Sequence, residues 1–211
     1  TAILPAAAKP PLEAFGNQPT TRAMEISPDG KRLAFIQAIS GKEMLVLVDL
    51  VSGKRTNLID ASNIKARSIA FVGTDYLVLF GSKSLGGGST FRQTMEFGGA
   101  FSVNIKNGRA RQLLADAKSG LLQSGLGRVL AVDDDGKHIY TNAFSARLVE
   151  SQVEIAEGQV SRQVTGSFVS FDLMKINLET GAQVGLGTTG SQGTQAWLSD
   201  GKGKPIARFD F

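Results

Sequence analysis

The sequence predicts an all-β chain, a partial or open β-propeller of about three to four four-stranded blades. Three observations carry that prediction. An apolar–turn–apolar pattern returns along the chain as ISPDGKRLAF at 26–35, AFVGTDYLVL at 70–79, AVDDDGKHIY at 131–140 and WLSDGKGKPI at 197–206. A second element follows the first three copies: VLVDLVSGKRTNLI at 46–59, SVNIKNGRARQLL at 102–114 and LMKINLETGAQVGL at 173–186. Long helical periodicity is hard to find, and 25 glycines in 211 residues suit many short strands joined by tight turns.

Asp-Gly between two extended apolar runs is a strong hairpin signal, because the turn needs positive φ at low steric cost. Turns are therefore expected at Gly30, Thr74-Asp75, Gly136 and Ser199-Asp200-Gly201. The second element adds a strand, a turn ending in Gly53, Gly108 or Gly181, and a polar strand. Together the two elements supply four strands, the content of one blade that buries its faces against its neighbours. The predicted organisation is a lead segment at 1–20, units at 21–66, 67–127 and 128–190, and an incomplete unit at 191–211.

A four-stranded blade takes roughly 40–50 residues, and two stretches exceed it. They are GSKSLGGGSTFRQTMEFG at 81–98 and AFSARLVESQVEIAEGQVSRQVTGSF at 143–168, both read as long hairpin loops or insertions. The first is Gly-rich and expected to be mobile. The second alternates apolar side chains at Val149, Val153, Ile155, Val160 and Val164, which predicts an extra hairpin. AKSGLLQSGLG at 117–127 is too interrupted by glycine to form a helix. The expected total is about twelve strands or more, with Ile26, Leu33, Phe35, Val46, Val48, Phe71, Leu77, Val132 and Trp197 buried, because strands stacked between sheets bury both faces.

Composition narrows the functional classes. A 42% hydrophobic content is enough for a real core. No stretch approaches the roughly 18 apolar residues of a membrane-spanning helix, so no membrane partner is expected. The net charge is +4, but Lys and Arg are scattered, often in turns such as Gly30-Lys31-Arg32 and Gly53-Lys54-Arg55. They do not interleave with aromatics on one face, which predicts a solvated surface and no nucleic-acid partner. The absence of cysteine excludes disulfides and thiolate metal sites. The Ala- and Pro-rich opening TAILPAAAKPPLEAF suits the start of an exported chain after cleavage, hence a periplasmic or secreted location, with a cytoplasmic one as the alternative.

No acid–base constellation emerges. The one histidine, His138, lies in DGKHIY between apolar positions and is expected to face solvent beside a turn. With so few nitrogen and sulfur ligands, no zinc site is predicted. TTGSQG at 188–193 has Thr189 where a nucleophile elbow needs its first glycine, and no helix follows, so Ser191 is read as a loop serine. Ser62-Asn63-Ile64-Lys65 matches S-x-x-K by letter only. GLGTTG at 185–190 lacks the helix start that dinucleotide binding requires. Asp133-Asp134-Asp135-Gly136 reads as a hairpin turn whose carboxylates accept backbone N–H groups, not as a calcium loop. Trp197 is expected in the core. The sequence thus predicts no catalytic, metal or cofactor-binding residue and no cofactor.

ISPDGKRLAFI followed by LVLVDLVSGKRTNLI resembles the first blade of the N-terminal β-propeller of prolyl oligopeptidase-family (S9) serine peptidases. PLEAFGNQPTTRAMEISPDG resembles their approach to the first strand, and the terminal TQAWLSDGKGKPIARFDF resembles a later blade strand. The SPDG strings are shared with TolB-like and other WD40-like (PD40) propellers; the ordered set is more specific. The resemblance implies a non-catalytic propeller that gates peptide access to a hydrolase domain lying beyond Phe211, with peptides as the partner class. It licenses no numbered substrate-binding residue. The 143–168 insertion, with Arg147, Glu150, Glu154 and Glu157, is the place to look. The alternative is a TolB-like periplasmic scaffold that docks another protein. An open array also leaves strand edges unpaired, which predicts self-association through the terminal blades, Ala207-Arg208-Phe209-Asp210-Phe211 included.

Overall fold

A computed structural model of the chain describes residues 20–85, 95–115, 128–156 and 159–211. Strands β1 (Thr21–Ile26), β2 (Arg32–Ile39), β3 (Lys42–Asp49) and β4 (Arg55–Asp60) form one sheet in chain order. A second sheet holds β5 (Lys65–Val72), β6 (Tyr76–Leu85), β7 (Met95–Asn104) and β8 (Ala110–Gln112). The third holds β9 (Ala131–Val132), β10 (His138–Ala156), β11 (Gln159–Asn177) and β12 (Gln183–Thr188), and β13 (Thr194–Ser199) pairs with β14 (Pro205–Asp210). Every pairing is antiparallel, and the described residues contain no helix. Residues 1–19 of the lead segment, 86–94 of the Gly-rich insertion and the stretch 117–127 lie outside the described residues.

The three large sheets repeat one hydrogen-bonded unit. Asp49, Asn104 and Asn177 end the third strand of each sheet, and each side chain accepts two backbone N–H groups of the following turn. The turn closes when Gly53, Gly108 or Gly181 donates its N–H to the carbonyl of that same Asp or Asn, 2.8 Å in all three. These glycines sit at φ +70°, +68° and +76°, the left-handed region where a side chain is costly. The residue after each Asp or Asn, Leu50, Ile105 or Leu178, donates to the carbonyl of Lys31, Asp75 or Lys137, so the third turn of each sheet is tied to the first.

Packing is layered. Along β6, Leu77 and Leu79 join a cluster with Ala34, Ile36, Leu45 and Leu47 of the first sheet. The alternate residues Tyr76, Val78 and Phe80 join Ile139, Met174 and Ile176 of the third. A strand alternates its faces, so β6 has one face against each neighbouring sheet and reads as a continuous apolar run. The first sheet has a described neighbour on one face only, and this corrects three expectations. Ile26 and Leu33 pair on the face turned away from the second sheet; Ile26 is 59% exposed, and Leu33 and Val48 are half-buried. Phe35 stays covered there partly because the Arg55 guanidinium lies over its ring at 6.0 Å. Val132 is also half-buried, whereas Val46, Phe71, Leu77 and Trp197 are buried as expected.

The insertion at 143–168 is a hairpin: β10 and β11 pair continuously from His138↔Asn177 to Ala156↔Gln159, well past the strands β9 and β12 that flank them. Strands β6 and β7 likewise pair out to Leu85↔Met95. In the last hairpin the left-handed glycine is Gly203, φ +82°, not Gly201. Asp200 accepts the N–H groups of both Lys202 and Lys204, which lengthens the turn past the Asp-Gly step. Gly203 also meets the Tyr140 ring so closely that a Cβ there would fall 2.4 Å from ring carbons.

Candidate functional site

In an antiparallel meander the first and third turns fall at one end of the sheet and the second turn falls at the other. The capped turns therefore share an end in each sheet. The opposite end carries the β2–β3 turn, the β4–β5 link and the β6–β7 and β10–β11 hairpins. Arg32 donates to the Thr74 carbonyl at 2.6 Å and joins the capped ends of the first two sheets. At their other ends the two sheets leave a groove of about 800 Å³, open to solvent.

Four cationic side chains line this groove: Arg22 from β1, Lys65 and Arg67 from β5, and Lys83 from β6. Arg22 pairs with Glu43 at 2.5 Å, yet its Nε is buried without a hydrogen-bond partner. Beside it Ala23 sits at φ +52°, where the β1–β2 register shifts between Arg22 and Glu25. A bulge of this kind turns a strand and re-aims its side chains, here at a residue type that disfavours positive φ. Arg67 and the Ser82 hydroxyl each donate to Glu96 at 2.5 Å, and Lys65 lies 3.5 Å from the same carboxylate. The Ser82 hydrogen bond, then that of Arg67, hold the Glu96 carboxyl well below the usual range, at about 2. Lys83 has no acidic partner among the described residues.

The residues singled out by sequence are placed elsewhere and are spent structurally. Arg147 donates to Asp172 and Ser170, at 2.5 and 2.6 Å, and to the Gly190 carbonyl at 2.8 Å. Asp172 is buried and also accepts the Gly190 N–H at 2.7 Å. Arg147 thereby clamps the link that leads from β12 to β13. Glu157 and the side chains of Glu150 and Glu154 lie outside the described residues.

His138 does not face solvent as expected. Its Nδ1 meets Asp135 at 2.5 Å, its Nε2 meets Asn177 Nδ2 at 3.0 Å, and only 18% of the side chain is exposed. A histidine with both ring nitrogens engaged braces the turn against β11. The three consecutive aspartates diverge: Asp133 pairs with Lys175, Asp134 with Lys202 at 3.2 Å, and Asp135 accepts the Lys137 N–H. Lys175 holds the Asp133 carboxyl below its ordinary range. Ser62 donates to Asp60 while Lys65 donates to Ser84, so the S-x-x-K letters make no joint site. Ser191 lies beside Thr194 Oγ1 at 3.3 Å in a loop, and Gly185 to Thr188 belong to strand β12.

The groove residues escaped the sequence reading because they come from three strands far apart in the chain. The β5–β6 pairing and the packing of the first two sheets bring them together, and an Arg-Ala-Met string carries no signal for the bulge at Arg22.

No family model and no curated protein matches the sequence. Among solved structures the chain is similar to a candidate conserved lipoprotein of Clostridium novyi NT, at 13% identity and a TM-score of 0.40, over 77% of this chain and 89% of that one.

Proposed function

We propose that this chain is a non-catalytic β-propeller segment of a prolyl oligopeptidase-type serine peptidase, gating peptide access to a separate hydrolase domain. The observation that carries the non-catalytic half is His138. A general base needs a free nitrogen within reach of a nucleophile, and here both nitrogens are held by Asp135 and Asn177. The blade half is supported by three four-stranded meanders that repeat the same turn hydrogen bonds and pack face to face. The peptidase half rests on the likeness of ISPDGKRLAFI, LVLVDLVSGKRTNLI and WLSDGKGKPIARFD to that family.

A fluorophosphonate probe tests the reading on the natural gene product and on the 211-residue chain. The expected result is a labelled serine in the gene product outside residues 1–211, and none in the chain itself. Stoichiometric labelling of any serine within the chain, Ser191 included, overturns the non-catalytic assignment. A gene product that labels nowhere removes the peptidase and leaves the second reading, a TolB-like periplasmic scaffold. That alternative is favoured by the open cation-lined groove, a surface suited to docking.

A further inference from the structure

We propose that the groove between the first two sheets binds a carboxylate-bearing peptide segment, with Arg22 and Lys83 as its anion contacts. The proposal concerns the chain's own surface and holds with or without a hydrolase domain. Cleft size comes first. About 800 Å³ lies within the roughly 300–1,000 Å³ common for ligand sites. Charge comes next. Four cations line the groove, against Glu43 within it and Glu96 beside it, so the groove carries an excess of positive charge. Lys83 contributes to that excess without an acidic partner among the described residues.

Arg22 supplies the directional argument. A buried guanidinium N–H without an acceptor is costly, and native structures rarely leave one so. Its neighbour Glu43 satisfies one edge of the fork through Nη2 and leaves Nε bare. Nε itself lies too deep for a ligand to reach, but 31% of the Arg22 side chain is in solvent, and there an arriving carboxylate meets the guanidinium as a charge-assisted partner. Ala23 makes the arrangement conformationally expensive, since alanine at φ +52° is strained and such strain gathers at functional positions.

The lining chemistry selects the ligand. Single-stranded nucleic acid needs stacking platforms, and among the described residues no aromatic lines the groove. Ser62 and Ser82 are held by Asp60 and Glu96, whereas the Ser84 hydroxyl accepts from Lys65 and keeps its own O–H for a peptide carbonyl.

Fluorescence anisotropy with the full 211-residue chain tests this. The probe is a fluorescein-labelled Glu- and Ala-containing hexapeptide, compared with its Gln isostere, at low and physiological salt. Saturable binding of the acidic peptide is expected, about tenfold or more tighter than the Gln peptide and weaker at higher salt. Lys83→Gln should weaken it by about threefold and Arg22→Gln by about tenfold. Lys83 holds no carboxylate among the described residues, so its substitution reports on binding even if Arg22→Gln disturbs β1. Millimolar inorganic phosphate should compete no better than chloride. Four results overturn the proposal: no saturable binding, equal affinity for the two peptides, wild-type affinity in the Lys83→Gln variant, or displacement by phosphate alone. Tight binding of oligo-dT that is lost in Lys83→Gln also overturns it, in favour of a nucleic-acid groove.

Discussion

The junctions between sheets are built in two different ways. Between the first and second sheets, and between the second and third, contact is made by aliphatic and aromatic side chains, with Leu77, Leu79, Val78, Ile139 and Ile176 wholly buried. Between the third sheet and the β13–β14 hairpin the buried Trp197 and the Gly203–Tyr140 contact are fixed by specific hydrogen bonds. Asn142 exchanges two hydrogen bonds with the Trp197 backbone, at 3.0 and 3.2 Å, and Trp197 Nε1 donates to the Phe171 carbonyl at 2.9 Å. Arg147 and Asp172 hold Gly190 in the intervening link. Apolar burial is non-directional and scales with area, so it tolerates small shifts. A buried hydrogen-bond network accepts one geometry and penalises any missing partner. The apolar junctions therefore supply cohesion, and the polar one supplies register.

The largest effect should come from the apolar side. Leu77→Ala removes a fully buried side chain shared with the first sheet, and should cost about 3 kcal/mol, within the 2–5 usual for such truncations. Urea unfolding should show a lower midpoint at unchanged slope. A loss below about 1 kcal/mol would mean that the two sheets re-close around the cavity and are less rigidly packed than they look.

A smaller and more local effect should follow at the polar junction. Asp172→Asn leaves the Arg147 guanidinium without its counter-charge. The full penalty for breaking a buried pair is about 3–5 kcal/mol, but Arg147 keeps 25% of its side chain in solvent, so about 2 kcal/mol is expected. The distinguishing readout is hydrogen exchange. Amides of Gly190 and Trp197 should exchange faster while that of Leu77 is little changed. Uniform acceleration across all sheets would erase the distinction between the two kinds of junction.

The same contrast explains what the sequence made legible. The strands and tight turns announced themselves because their signals are local: Gly53, Gly108 and Gly181 each close a turn that needs positive φ. A stronger mark went unread, the Asp or Asn that caps each of those turns at 49, 104 and 177. Ile26 looked like a core position, since a pattern shows which residues share a face and not whether that face has a neighbour. His138 looked solvent-facing for a related reason: Asn177 reaches it across the β10–β11 pairing, from a distant part of the chain. The groove was invisible, since Arg22, Lys65 and Lys83 are scattered cations until β1, β5 and β6 bring them to one end of two sheets.

Acid gives the mildest test and acts only where there are carboxylates. The two apolar clusters contain none, so any acid response must arise at polar contacts. Glu96 is the clearest case, with its carboxyl depressed to about 2 by Ser82 first and Arg67 second. A carboxylate whose folded value lies below its unfolded one binds fewer protons in the folded state. Stability from it is fully present above the ordinary glutamate range and is lost as pH falls from there toward 2. Because the side chain is solvent-exposed, the effect is a shallow slope and not a cliff. Glu96→Gln should therefore flatten thermal stability against pH below the ordinary glutamate range and leave the curve near neutrality almost unchanged. Equal acid slopes in the two proteins would place the acid sensitivity in other contacts, with Asp210, held low by Thr194 and Arg208 in the terminal hairpin, the next group to substitute.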